Sequence, residues 1–365
     1  MNETGPASRG GPSILFVVAA AMLVIAGLKA AAPLLVPLVA SLFLAVLAIP
    51  LLAFFRRLGC AGPLAVALTM LAVIAVIAGA LVLVGGSFTQ FTNALPRYQR
   101  GLEQLFTEAL EWLEAHGIEA EHVVSRDVIR PGAVLDMIGT TLRRVAVLLS
   151  NLTVVLVTTL FLLAEASYFP EKLAAALGPG SRAMQRVEKI RGEVQRYLAI
   201  KTLISAATGV LAGLWCAMLG VDFPLLWGLL AFLLNYIPTL GSILAGIPPI
   251  LLALVQFGPG RALLVLAGYL AINVLLGNLI EPALMGRRLG LSALVVFFSL
   301  VFWGWVWGPL GMLLSVPLTM IVKIMLENTE EFRWIAVLLD ARPPEPVPQP
   351  APDADGAHAD TRGVA

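Results

Sequence analysis

Residues 224–256 read PLLWGLLAFLLNYIPTLGSILAGIPPILLALVQ. As one straight helix this run would reach about 50 Å, well past a bilayer hydrocarbon core of about 30 Å. The run must break, and Asn235-Tyr236-Ile237-Pro238-Thr239-Leu240-Gly241 supplies the break: an amide, a phenol, a helix breaker and a glycine inside an apolar segment. Interrupted backbone at membrane depth is tolerated only where protein or a water-filled cavity satisfies its polar groups. The stretch therefore argues for a helical membrane protein with a built interior.

The rest of the chain agrees. Of its 365 residues 59% are hydrophobic and 13% charged, and the mean hydropathy is +0.90. An ordinary soluble domain is about 45–50% apolar and about 25% charged, so that class is excluded. A net charge of +1 offers no basic field for nucleic acid. Cys60 and Cys216 stand far apart without ligand spacing, His116, His122 and His358 lie in polar stretches, and no GxxxxGK[ST] phosphate loop occurs. No metal centre, cofactor, ATP hydrolysis or enzymatic activity is expected.

An all-α polytopic fold follows, with about six full crossings at 14–28, 31–52, 63–86, 145–169, 200–220 and 262–281. Two broken or re-entrant stretches, 224–256 and 292–326, bring the total to about eight transmembrane elements. The first run, Ile14 to Leu28, is short enough for a signal peptide, but Ala30 to Leu52 follows almost without a polar break, so a retained membrane hairpin is expected. The chain divides into a disordered N-terminus (1–13), three transmembrane helices (14–86), an extramembrane helical insert (87–144) and a fourth transmembrane helix (145–169). A cytoplasmic amphipathic segment (170–199), a transport core (200–326) and a cytoplasmic tail (327–365) complete it; the tail is disordered from about 341, where six prolines gather. In the insert, Leu95, Tyr98, Leu102, Leu105, Ala109 and Trp112 recur at helical spacing, a stripe suited to packing on helices or the membrane surface.

Between Pro170 and Lys201 seven basic residues face three glutamates, which places that stretch in the cytoplasm. Counting from it puts the 87–144 insert outside, Arg56 and Arg57 inside, and both termini inside. Eight acidic residues against six arginines in the insert fit that orientation.

The stretch 292–326 is interrupted by Gly308-Pro309-Leu310-Gly311. Aligning the two breaks sets PTLGSILAGIP (238–248) against PLGMLLSVP (309–317), a weak internal repeat. A crossing followed by a broken element, repeated, is a transporter plan. If both stretches are re-entrant, Arg287 and Arg288 fall inside and Arg261 outside; if both cross, the assignment reverses. Charge counting favours re-entry, whereas Trp303, Trp305 and Trp307 beside the second break favour an interfacial position, and both geometries stay open.

Asn273, Gly277, Asn278 and Glu281 share an arc of about 140° on a helix over 262–281, and Asn273 and Asn278 are expected to line the substrate path. Intramembrane carboxylates are functional candidates, which singles out Glu281 for ion coupling, although it could equally be a solvated residue before Pro282 or a partner of Arg287 or Arg288. Asn235 and Tyr236, with Pro238 and Gly241, offer hydrogen bonds without charge beside unwound backbone, a site for a neutral polar solute or else a capped kink. Pro309 and Gly311 would contribute from the second break. Thr202, Ala206, Gly209, Gly213, Cys216 and Gly220 form a small-residue seam, with Gly209, Gly213 and Gly220 as helix-packing positions.

NYIPTLGSILAGIPPI (235–250) and GNLIEPALMGRRLGLSALVVFFSLVFWGWVWGPLGMLLSVPLT (277–319) strongly resemble the autoinducer-2 exporter family of bacterial membrane proteins, closest to its quorum-signal exporter branch. The matching positions include Asn278, Glu281, Pro282, Gly286 and Gly290 as they stand here. The resemblance implies a multi-pass protein of the bacterial inner membrane that exports autoinducer-2 or a related small polar solute without ATP hydrolysis. It also implies homo-oligomers, and some family members are implicated in sodium/proton exchange. Many relatives carry an acidic residue where this chain has Leu276. The alternatives to a solute exporter are a sodium/proton antiporter working through Glu281 and a membrane scaffold presenting the 87–144 insert to a partner.

Overall fold

The computed structural model describes residues 14–116, 152–285 and 291–340, apart from 167, 179, 239, 328, 330 and 331. Every regular element among them is helical: α1 (Ile14–Ala30), α2 (Ala32–Arg57), α3 (Gly62–Ala115), α4 (Leu152–Glu165), α5 (Phe169–Leu177) and α6 (Arg182–Met218). They continue with α7 (Pro224–Leu234), α8 (Leu240–Phe257), α9 (Pro259–Ile272), a π-helical segment (Asn273–Ile280), α10 (Glu281–Met285), α11 (Ala293–Glu327) and α12 (Arg333–Leu339). Six stretches, 32–57, 62–94, 183–218, 240–257, 259–285 and 293–327, are long and apolar enough to cross a membrane. The protein is a polytopic all-α membrane protein.

Several boundaries differ from those expected. The third crossing and the start of the insert form one helix of 54 residues, which runs on through Gly85-Gly86 and through Pro96. Its extension carries Tyr98 to a buried position, while Trp112 is exposed. The amphipathic segment and the fifth crossing likewise fuse into α6, 37 residues long, opened by Ser181, whose hydroxyl accepts the Met184 N–H (3.2 Å). Where a hairpin was expected at 14–52, α1 and α2 are separated by the single residue Ala31, across which Ala31 N–H donates to Gly27 and Leu35 N–H to Ala31. Pro33 has no N–H to offer the Lys29 carbonyl, which interrupts the ladder beside Ala31, and the Leu28 carbonyl accepts the Trp307 indole (3.1 Å). Helical hairpins take loops of about 2–5 residues, which this junction lacks. The termini, residues 117–151 with His122, and the 286–290 segment with Gly286, Arg287, Arg288 and Gly290 lie outside the described residues.

Both broken stretches reverse direction. The two ends of the first meet: the Asp222 N–H donates to Gln256 Oε1 (3.3 Å), and Gln256 Nε2 donates to the Tyr98 hydroxyl (3.2 Å). Within the second, Gly308 takes a left-handed φ of 66°, after which the Trp303 indole donates to Thr319 Oγ1 (3.0 Å) across sixteen residues. A Cβ at Gly241 would strike the Leu234 carbonyl, and one at Gly311 the Trp303 carbonyl. Each reversal therefore places a glycine where the returning arm crosses the backbone of the arriving one.

Helix α6 serves as the axis. At its C-terminal end the first hairpin opens beside Asp222, and at its N-terminal end the second opens beside Lys189, which pairs with Glu327 (3.1 Å). The two hairpins thus insert from opposite ends of α6, the inverted arrangement of transporter repeats. Helix α9 runs antiparallel to α6, with the Arg261 guanidinium donating to the Leu219 carbonyl (3.4 Å) and the Trp215 indole to that of Leu264 (3.1 Å). Buried Lys323 on the returning arm pairs with Glu327 one turn on (3.5 Å) and with Asp340 at the end of α12 (2.9 Å), which ties α12 to α11.

Candidate functional site

The first hairpin owes its depth to the seam on α6. Gly209 and Gly213 face Gly228 of α7, so closely that a Cβ on Gly209 would lie 2.7 Å from the Gly228 carbonyl and one on Gly213 3.2 Å from that of Pro224. Backbone contact between small residues is how helices associate without a hydrophobic driving force between them. Gly220 plays a different part: its φ of 73° makes the turn that ends α6. Pro224 then starts α7, aided by Phe223 at φ 61°, whose ring meets Phe91 edge-on at 5.9 Å.

The tip of this hairpin falls on the polar face of α6. Asn235 is buried and donates through Nδ2 to Ser205 Oγ (3.0 Å), and the Tyr236 hydroxyl donates to Thr202 Oγ1 (2.7 Å). Thr202 in turn donates to the Leu198 carbonyl (2.7 Å). Next to Thr202, Lys201 Nζ pairs with Glu281 Oε1 at 2.7 Å, with side-chain exposures of 5% and 16%. Buried Tyr197, one turn earlier, lies within electrostatic reach of Glu281 and Tyr236. Three elements therefore bring together a row of amide, hydroxyl, phenol, ammonium and carboxylate groups. A carboxylate and an ammonium survive such burial because each neutralises the other.

Glu281 reaches Lys201 through an irregular helix. Over Asn273–Ile280 the backbone is π-helical, and the Glu281 N–H donates to the Leu276 carbonyl, five residues back. The turn here is wider than the α-helical one on which the expected arc of Asn273, Gly277, Asn278 and Glu281 was drawn. Asn273 stays half-buried with its side-chain oxygen 3.0 Å from where a Gly277 Cβ would sit, whereas Asn278 is exposed, away from the cluster. Pro238 and Gly241 shape the first tip. Pro309 and Gly311 shape the second tip, which sits against α1 through Trp307 and Leu28 and makes none of the hydrogen bonds given for the cluster.

Sequence reasoning missed Lys201 and Ser205 and took Thr202 for packing alone. The signal lay in Lys201-Thr202-x-x-Ser205, polar residues one turn apart on a helix already leading into the apolar run. Lys201 was counted as the last charge of a basic loop, when it is a buried cation.

The chain matches the AI-2E family transporter description over residues 14–331. It is 40% identical to the AI-2 transport protein TqsA of Escherichia coli strain K12, over 90% of this chain and 96% of that protein. It is 34% identical to YhhT of the same strain, which carries the general label of a transport protein, over 92% of this chain and 97% of that one. A similarly labelled protein of Haemophilus influenzae is 35% identical over 89% and 95%. With inverted hairpins, a polar row inside the membrane and these likenesses over nearly its whole length, the chain belongs to the AI-2E family of transporters.

Proposed function

We propose that this transporter exports a small polar solute, autoinducer-2 or a related molecule, without ATP hydrolysis, past the tip of the first hairpin. The observation that carries this reading is the buried row from Asn235–Ser205 through Tyr236–Thr202 to Lys201–Glu281. Neutral donors and acceptors at an unwound tip match a hydroxylated solute, which exchanges its water hydrogen bonds for these. The 40% identity to a protein named for AI-2 transport supports the choice of solute. The second reading, sodium/proton antiport through Glu281, draws on the same intramembrane carboxylate.

In this reading the protein sits in the bacterial inner membrane as a homo-oligomer, with the basic end of α6 and the C-terminal tail in the cytoplasm. The count that placed the N-terminus there needed a hairpin of α1 and α2, and the single-residue junction at Ala31 withdraws that support. A scaffold role has no use for interrupted helices. The test is solute flux in proteoliposomes with and without imposed sodium and proton gradients. Asn235→Leu, which strands the Ser205 hydroxyl, is expected to weaken apparent solute affinity by about 1–3 kcal/mol. Glu281→Gln combined with Lys201→Met, which removes the pair without leaving a lone buried charge, is expected to leave flux running with altered rate. Unchanged solute affinity in Asn235→Leu would overturn the path, and gradient-driven proton movement abolished in that folded double variant would establish the antiporter.

A further inference from the structure

The buried row is not uniform in charge. From Asn235–Ser205 through Tyr236–Thr202 it offers neutral donors and acceptors, and only at its last place does it hold ions, Lys201 and Glu281 at 2.7 Å. Lys201 precedes Thr202 on α6, and Tyr197 lies within electrostatic reach of both Glu281 and Tyr236, so the ions stand at the hairpin tip and not at a separate depth. Among the described residues each has the other as its ion-pair partner. Hydroxyls or amides would serve a hydroxylated solute there without the cost of desolvating two charges. What the pair adds is electrical.

Its net charge is zero, and each member repels the ion that the other would attract. An anion at the tip meets an ammonium already neutralised at contact distance, with a carboxylate beside it; a cation meets the reverse. Either ion would shed its water against a site with no net charge to offset the loss. A neutral polyol gives up only water hydrogen bonds, which the amide and hydroxyls replace. We infer that Lys201 and Glu281 fix the selectivity of the path for uncharged polar solutes, each being the built-in counter-ion that fills the other's ion site. This rests on the solute path proposed above. Truncating one member should therefore unmask a site for a small ion of the same sign as the lost charge. With 16% of its side-chain surface open, against 5% for Lys201, the Glu281 side is the one from which such an ion can enter.

The experiment is thermal unfolding of the full chain in detergent, comparing sodium formate, methylammonium chloride and sodium chloride at equal ionic strength. Glu281→Ala is expected to melt below the unmodified chain and to regain about 2 °C or more in formate relative to chloride, saturably. Lys201→Ala is the mirror case, expected to respond to methylammonium and not to formate, and it carries the test if Glu281→Ala does not fold. The double variant and the unmodified chain should respond to neither ion. Formate and chloride acting alike on folded Glu281→Ala, or a formate response that persists without Lys201, would overturn the inference. In proteoliposomes, formate should slow solute flux through Glu281→Ala and leave flux through the unmodified chain unchanged. Absence of solute flux through the unmodified chain would remove the path and the selectivity with it; flux present, with no ion response in either single variant, would remove the selectivity alone.

Discussion

Lys201 and Glu281 carry opposite charge inside the membrane-spanning part of the fold, and neither has much water to turn to. Breaking such a pair leaves one buried charge uncompensated. Lys201→Met is therefore expected to destabilise the protein by about 3–5 kcal/mol, read as a lowered melting temperature in detergent. Lys201→Glu combined with Glu281→Lys should recover part of the loss; no recovery would show that packing, and not charge, holds the pair. Tyr98 lies beyond the apolar part of α3 and donates to Asp222 Oδ2 (2.6 Å). Burial first, then the hydrogen bond to Asp222, pushes its phenol up to about 12 from an ordinary 10.0. A raised folded-state value means that the contribution to stability is complete below pH 10 and fades as pH climbs towards 12. Tyr98→Phe should remove that part of the alkaline loss and cost about 1 kcal/mol at neutral pH, since exposed Asp222 regains water. A melting-temperature profile from pH 8 to 12 that is the same for both proteins would contradict this.

At the scale of elements, the close approach of α6 and α7 orders the cost of side chains added there. A methyl on Gly209 meets the Gly228 carbonyl at 2.7 Å, one on Gly213 meets a carbonyl at 3.2 Å, and one on Gly192 meets nothing. Gly209→Ala should destabilise by about 1–3 kcal/mol, Gly213→Ala by less, and Gly192→Ala should be neutral or stabilising, as glycine is a poor helix former. Thermal unfolding of the three variants checks the order, and an inverted order would mean that the helices part readily.

The reversals at 235–241 and 308–311 were legible because helix length and bilayer thickness are both fixed, so an apolar run of more than thirty residues has to turn. Their hydrogen-bond partners were not, since the Ser181 cap announces where α6 starts but nothing local announces that the same helix runs unbroken past Lys201 and carries it inward. The π-helical turn was illegible for a related reason. NVLLGNLI has the composition of any transmembrane α-helix, and no residue in it marks the wider turn.

For the whole molecule, α6 separates two ends of different chemistry: Lys189, Arg191 and Glu327 at one, Tyr98, Asp222 and Arg261 at the other. If the hairpins open to opposite sides of the membrane, single cysteines replacing Gln185 and Arg261, both exposed, should react with an impermeant thiol reagent from opposite sides of oriented vesicles. Cys60 and Cys216 are replaced by alanine beforehand. Labelling of both from one side would break the inverted arrangement. This architecture was legible only in outline, because the pairing of Arg261 with the α6 end depends on contacts between segments about 40 residues apart.

The π-helical segment bears on how this gene could tolerate change. Along an α-helix each residue adds about 100° of rotation, and a π-helical turn takes in one residue more, so losing one residue between Asn273 and Ile280 would let the backbone relax to regular winding with Glu281 still turned toward Lys201. Gaining one residue in a regular stretch of the same helix would instead rotate the carboxylate by about 100° and strand both charges. The position of Glu281 is held by the phase of the winding, and the wide turn is the place where this helix can shed a residue without losing that phase.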